Sequence, residues 1–205
     1  QVRLLPKSPS DFVELGPNRY HGSLLVRPNP DSTLTVIQET GIEEYLYGVL
    51  AKEMSADWPT EALKAQAVVS RTFTLSNLGK FGNAGFDLST DQQSQVYGGL
   101  DGHDPRATAA VQATEGEVLH FKGRVLKAFF HSCCGGATAN AGEVWGDARL
   151  AGKPLGGARD RWCDASPHMA WKAYFAFDDI LRALNRNGHL AAVLKGVGRG
   201  KSALS

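Results

Sequence analysis

The period of the apolar positions changes several times along the chain, and each change marks an element. "SLLVR" (Ser23–Arg27) and "TLTVIQ" (Thr33–Gln38), in which Leu34 and Val36 alternate with threonines, predict two strands with "PNPDS" as the turn between them. From Ile42 the spacing becomes helical: Ile42, Leu46, Val49 and Glu53 fall at i, i+4, i+7 and i+11. Thr40 and Glu43 have the spacing of a capping box at the start of this helix. A second helix is predicted from Pro59 to about Leu78, stopped near Gly79. A third fits "DPRATAAVQATEG", with Asp104 as N-cap, Pro105 at N1 and Gly116 beyond the end. "EVLHFKGRVLKAFFHS" reads as a hairpin turning at Lys122-Gly123, and "FDDILRALNRNG" as a short helix ending at Gly188.

The polar stretches complete this picture. The first twenty residues are broken by three prolines and read as an extended leading segment. "GKFGNAGFDLSTDQQSQVYGGLDGHD" and the run from Gly135 to Met169 read as long loops, and loops of that length are often functional. No internal repeat, low-complexity tract or interdomain linker is present. The class is α+β, with mixed or antiparallel strands and a helical portion, organised as an extended segment over 1–18 and one domain over 19–205. The C-terminal "LKGVGRGKSALS" reads as a cut, so that domain is expected to be truncated there.

Composition narrows the function. Of 205 residues, 42% are hydrophobic and 21% charged, enough apolar material for a real core. A net charge of +1 argues against a nucleic-acid binder driven by charge. No apolar run is long enough to span a bilayer, and because the chain starts at Gln1, a signal or anchor is expected to have been removed. Three cysteines are too few for a disulfide scaffold.

One residue breaks the helical pattern. Glu53 occupies a stripe otherwise apolar, flanked by Tyr45, Leu50 and Met54. Partial burial there would disfavour the charged form, the condition a general acid needs near neutrality. Lys64 and Arg71 follow on one face of the second helix, two turns apart. The residues alone leave two readings open: a catalytic acid with cationic neighbours, or an acid that faces solvent or pairs structurally with Lys64 or Arg71.

The stretch "GIEEYLYGVLAKEM", followed by "WPTEALKAQAVVSRTF", resembles the signature of the SpoIID/LytB family, which contains peptidoglycan lytic transglycosylases and amidase enhancers. The likeness continues in order through "STDQQSQVYGG", "AVQATEGEVLHFKGRVLKAFFHS", "CGGATANAGEVWG" and "CDASPHMAW", covering about Arg19 to Leu184. The resemblance implies that Glu53 is the catalytic glutamate of an E-M-P-like motif, with Ser55 where the family has proline. It implies substrate-binding roles for Lys64, Gln66, Arg71, Gln95 and Tyr97, and Ser94 stands where relatives often have cysteine. The expected reaction is cleavage of the β-1,4 bond between N-acetylmuramic acid and N-acetylglucosamine, on denuded strands by preference, with one acid and a 1,6-anhydro product. Asp87, Asp91 and Glu143 are the alternatives for a second carboxylate. A different class of function, a non-catalytic peptidoglycan-binding activator of a cell-wall amidase, shares the same motifs. Either places the protein outside the cytoplasm, in the cell envelope, with glycan strands as its partner.

"FFHSCCGG" and "CDASPH" add a second cluster. His131, Cys134 and Cys163 are reasonable zinc ligands, and His131 is also a candidate for the substrate side. A Cys134–Cys163 disulfide is equally reasonable in an extracytoplasmic protein, and Cys133 is the spare thiol. A Cys–His nucleophile centred on His131 and Cys134 is the third reading. The expected chemistry at Glu53 requires no cofactor, so any zinc is structural.

Overall fold

A computed structural model describes residues 1–8, 11–170 and 172–186. They form an α+β fold in two compact units, 1–131 and 132–205. In the first unit the order is β1 (Val2–Leu4), β2 (Val13–Leu15), β3 (Asn18–Tyr20), β4 (Ser23–Pro28), β5 (Leu34–Glu39), α1 (Ile42–Glu53), α2 (Thr60–Ser76), α3 (Pro105–Ala113), β6 (His120–Phe121) and β7 (Arg124–Val125). In the second it is α4 (Ala141–Trp145) and α5 (Phe177–Arg186). The expected end of the last helix at Gly188 lies outside the described residues.

All three sheets are antiparallel: β1-β4-β5, the hairpin β2-β3 and the hairpin β6-β7. The leading segment is therefore not simply extended. Val2 sits opposite Val26 and Leu4 opposite Leu24, so β1 closes one side of the sheet. The β6-β7 turn falls where the sequence puts it, because Lys122 and Gly123 both adopt positive φ (51° and 75°), as a two-residue hairpin turn requires.

The core of the first unit is helical. Leu46 and Leu50 of α1, Leu63 and Ala67 of α2, and Ala107, Ala110 and Val111 of α3 are all at most 1% exposed. Each leucine so buried contributes about 1.5–3 kcal/mol, and the alanines let the three helices approach closely. Asp104 caps α3 as expected, accepting from the N–H groups of Arg106 (2.8 Å) and Ala107 (3.4 Å). At the start of α1 the expected capping box does not form. Gly41 is the N-cap without a side-chain bond, because Glu43 is directed to Arg71 of α2 instead.

In the second unit, residues 136–138 run antiparallel to 158–160. Asp160 N–H bonds to Gly136 O (2.9 Å), and Thr138 N–H to Ala158 O (2.8 Å), around the Ala137–Arg159 bridge. This short ladder brings Cys134 and Cys163, just beyond its end, side by side.

Candidate functional site

Glu53 is the last residue of α1 and is half-buried. Its Oε1 accepts the Val96 N–H at 2.9 Å, which ties the helix end to the loop "SQVYGG". Its second oxygen makes no hydrogen bond among the described residues, and is the one free for a ligand. Beside it, Tyr45 stacks on Tyr97, with ring centroids 5.1 Å apart. Burial, then the neighbouring Tyr97 and Glu53, push the Tyr45 phenol above its ordinary range. Burial likewise pushes Tyr97 up to about 12, against a hydrogen bond from Gln38 that works the other way. Both phenols thus stay neutral hydrogen-bonding groups beside the carboxylate throughout the ordinary pH range.

The loop is held from within by Gln95, which is fully buried. Its Oε1 lies 2.9 Å from the Thr74 hydroxyl and 3.5 Å from that of Tyr45, while its Nε2 has no partner among the described residues. Thr74 has one hydrogen for two acceptors, since its hydroxyl also lies 2.9 Å from Ser70 O. With the amide turned over, Thr74 donates to Ser70 and accepts from Gln95 Nε2, so the Gln95 amide nitrogen gains a partner.

Gly48 provides the seat for this loop. Its carbonyl accepts the Gly98 N–H at 3.0 Å, and a Cβ at this position would lie 2.5 Å from Tyr97 Cε2 and 2.8 Å from Gly99 O. Overpacking of this kind costs about 1–3 kcal/mol. Gly48→Ala is therefore expected to lower Tm and change the near-ultraviolet tyrosine signal. An unchanged Tm and spectrum would mean that the loop is not seated on α1.

The cations expected behind Glu53 have other partners. Lys64 is paired with Glu61 at 2.7 Å, one turn away on its own helix. Gln66 is half-buried and donates to Ser70 Oγ at 3.1 Å. Arg71 is 1% exposed and engages Glu43 through Nε (2.8 Å) and Nη2 (2.7 Å), with further bonds to the carbonyls of Val111 and Glu117. A guanidinium so enclosed fastens α1 to α2 and the α3 end, and is not available to a sugar; the expected substrate contact of Arg71 is corrected to a structural one. The structure thus brings Glu53 and Tyr97 together and sets Arg71 apart, while the expected substrate contact of Gln95, which is 0% exposed, is likewise corrected to a structural one that holds the loop. Tyr45 was missed as a site residue, although it lies about two turns before Glu53 and so shares its side of the helix.

The second unit holds the thiol cluster. Cys134 Sγ lies 3.4 Å from Cys163 Sγ, with both thiols unbonded to each other, and 3.0 Å from Asp160 Oδ2. Cys163 Sγ lies 3.6 Å from the same oxygen. Ligand atoms of Cys134, Asp160 and Cys163 all fall within 4.8 Å of one another. Two thiols and a carboxylate suit zinc, which would replace the two protons directed at Asp160. Asp160 takes the place expected for His131, which is exposed, lies in the first unit and is outside this group.

The same geometry separates the thiols by reactivity. A hydrogen bond to Asp160, then burial, pushes Cys134 up to about 11, whereas the Gly135 N–H, followed by Ser166 and Cys163, holds Cys133 below the ordinary thiol range. Thiolate is the reactive form, and its fraction rises with pH through each pKa. With chelator present at pH 8, iodoacetamide is expected to label Cys133 before Cys134, the Cys134 rate still climbing towards pH 11. Mass mapping that finds Cys134 labelled first would contradict the Asp160 contact.

Comparison with known proteins converges on the segment that builds the acid site. Residues 30–121 match the family model described as stage II sporulation protein (SpoIID). An uncharacterised protein of Brachyspira hyodysenteriae is 41% identical over 156 residues, covering 76% of this chain and 41% of that protein. The amidase enhancer of Bacillus subtilis is 37% identical over 100 residues, 49% of this chain and 13% of its own length. Stage II sporulation protein D of Bacillus amyloliquefaciens is 32% identical over 127 residues, 55% and 37% respectively. The chain thus spans about two-fifths or less of the length of these relatives. The family match takes in α1 with Glu53, all of α2 and the Gln95–Tyr97 loop in one stretch, and this segment of the chain belongs to the SpoIID/LytB family.

Proposed function

We propose that this chain is a peptidoglycan lytic transglycosylase of the cell envelope, with Glu53 as both general acid and general base. The observation that carries this reading is the half-buried carboxylate with one oxygen held by Val96 N–H and the other free, beside the stacked pair Tyr45–Tyr97. Glu53 gives its proton to the oxygen bridging N-acetylmuramic acid to N-acetylglucosamine as the C1–O bond breaks. The carboxylate so formed takes the proton of the muramic C6 hydroxyl while that oxygen bonds to C1. Glu53 ends protonated, the product ends in a 1,6-anhydro ring, and no water or cofactor enters.

A one-acid route is supported by the way other carboxylates are occupied. Asp87 accepts the Gly79 N–H (2.8 Å). The Ser89 hydroxyl and the Gln93 N–H hold Asp91 below the usual carboxylate range. On α4, Glu143 accepts from the side-chain amide of Asn140 at 3.4 Å. Tyr97 meets a sugar ring or its acetamido group in this reading, and zinc at Cys134, Asp160 and Cys163 would be structural.

The amidase enhancer among the relatives favours one rival reading, a glycan-binding activator of a cell-wall amidase. Mass spectrometry of intact and denuded strands after incubation with the protein separates the two. Anhydro-ended products that vanish with Glu53→Gln support the transglycosylase. Hydrated ends would demand a water-activating partner, and binding without any cleavage would leave the activator.

A further inference from the structure

The open edge of the three-stranded sheet borders a groove that also reaches Tyr45 and Tyr97, the stacked pair beside Glu53. β5 ends the order β1-β4-β5, so no strand pairs with its outer side among the described residues. Register decides which backbone groups point that way. Asn29 N–H bonds to Thr33 O at 2.8 Å, which makes those two a hydrogen-bonded pair. Counting along the antiparallel ladder, Thr35, Ile37 and Glu39 bond inward to β4, and Leu34, Val36 and Gln38 turn their N–H and C=O groups outward.

Nothing in the strand blunts this edge. "LTVIQE" contains no Lys, Pro or Gly, and Leu34 and Val36 are 64% and 41% exposed. Edges of this kind accept another strand unless they are guarded. Beside β5 lies a cavity of about 630 Å³, within the usual range of ligand clefts. One wall is the consecutive run 35–41, another the consecutive run 85–90, with Leu75 and Leu78 adding apolar surface and Tyr45 and Tyr97 shared with the acid site. Two walls made of continuous chain suit an extended polymer backbone.

Charge narrows the occupant. The lining contains Glu39 and Asp87 and no Lys, Arg or His. Glu39 is paired with Arg3, whereas Asp87 has no cationic partner among the described residues. A peptidoglycan stem peptide fits poorly, because its alternating chirality and γ-linked glutamate break the spacing of N–H and C=O that β5 presents, and it brings carboxylates of its own. We propose that the open edge of β5 docks an extended L-peptide segment of a partner protein, added as a fourth strand and directing a Lys or Arg side chain to Asp87. Main-chain bonds at Val36 and Gln38 supply affinity, and the side chains meeting the cavity supply selectivity. The outward N–H and C=O groups of β5 are present whether or not Glu53 is catalytic, and a docked strand would share Tyr45 and Tyr97 with the acid site.

The test titrates the ¹⁵N-labelled full chain with a capped hexapeptide of alternating Val and Thr carrying one central Lys. The amides of Leu34, Val36 and Gln38 should shift, and their hydrogen exchange should slow. Binding should weaken at least tenfold when Lys is replaced by Glu, when alternate probe amides are N-methylated, when the probe is all-D, and in Val36→Pro. The N-methylated and all-D probes leave the protein untouched, so the result does not depend on the variant folding. No response at residues 34–39, or equal binding of the N-methylated probe, overturns the proposal. Tighter binding of a free stem tetrapeptide at the same amides also overturns it and gives the groove to the substrate.

Discussion

Glu53→Gln is expected to lower the rate of glycan-strand cleavage by about 10²–10⁴-fold, the range that positioned general acid–base groups supply. Glutamine preserves the length of the side chain and an oxygen for the Val96 N–H, now held at 2.9 Å by the carboxylate. It carries no proton that it can give to a glycosidic oxygen and cannot take one from the C6 hydroxyl. Strand binding and Tm should therefore stay near those of the parent. Release of anhydro ends measures the rate, and a pull-down on insoluble peptidoglycan measures binding. Glu53→Ala should do more damage, because it also removes the acceptor that ties the loop to α1. Parental cleavage by the glutamine variant would remove Glu53 from the chemistry altogether.

Arg71→Met should destabilise the fold by about 3–5 kcal/mol, the usual penalty for breaking a buried ion pair from one side. The side chains of Arg71 and Glu43 are 1% and 16% exposed, so water offers little substitute for either partner. Removing the guanidinium leaves Glu43 with the Gly116 N–H at 3.3 Å and leaves the carbonyls of Val111 and Glu117 without this donor. Replacing Glu43 by Met as well should recover part of the loss, since the stranded charge is then gone. Urea unfolding of the two single variants and the double variant measures this coupling. A loss below about 1 kcal/mol for Arg71→Met would place the pair among ordinary surface contacts.

These two expectations mark where sequence and structure part. The helical stripe Ile42–Leu46–Val49 announced α1, and Asp104-Pro105 announced α3, because periodicity and capping are local properties. Glu53 was legible for the same reason, as an acid on an apolar stripe. The partner of Arg71 was not. Spacing along α2 places Lys64 and Arg71 on one face, but the acid that meets Arg71 is 28 residues away, and a local rule assigned that acid to a cap. Asp160 was hidden similarly, since only the antiparallel run of 136–138 with 158–160 brings it to Cys134. The strands Val2–Leu4 and Val13–Leu15 were obscured by prolines around them, and became strands through long-range pairing or a tight hairpin.

The bare position at Gly48 has a consequence for the acid five residues further along. Backbone N–H groups of the loop bond to α1 at two points, Gly98 on Gly48 and Val96 on Glu53, so the loop runs antiparallel to the helix between them. Those points are about 7.5 Å apart along the axis, at 1.5 Å per residue. Together they act as a ruler: the one gap in the side-chain surface fixes where the loop lands, and the landing fixes which turn receives the backbone N–H. One residue inserted between them would swing the carboxylate about 100° around the axis, even with both helix and loop intact. What α1 must keep from Gly48 to Glu53 is thus a count of residues.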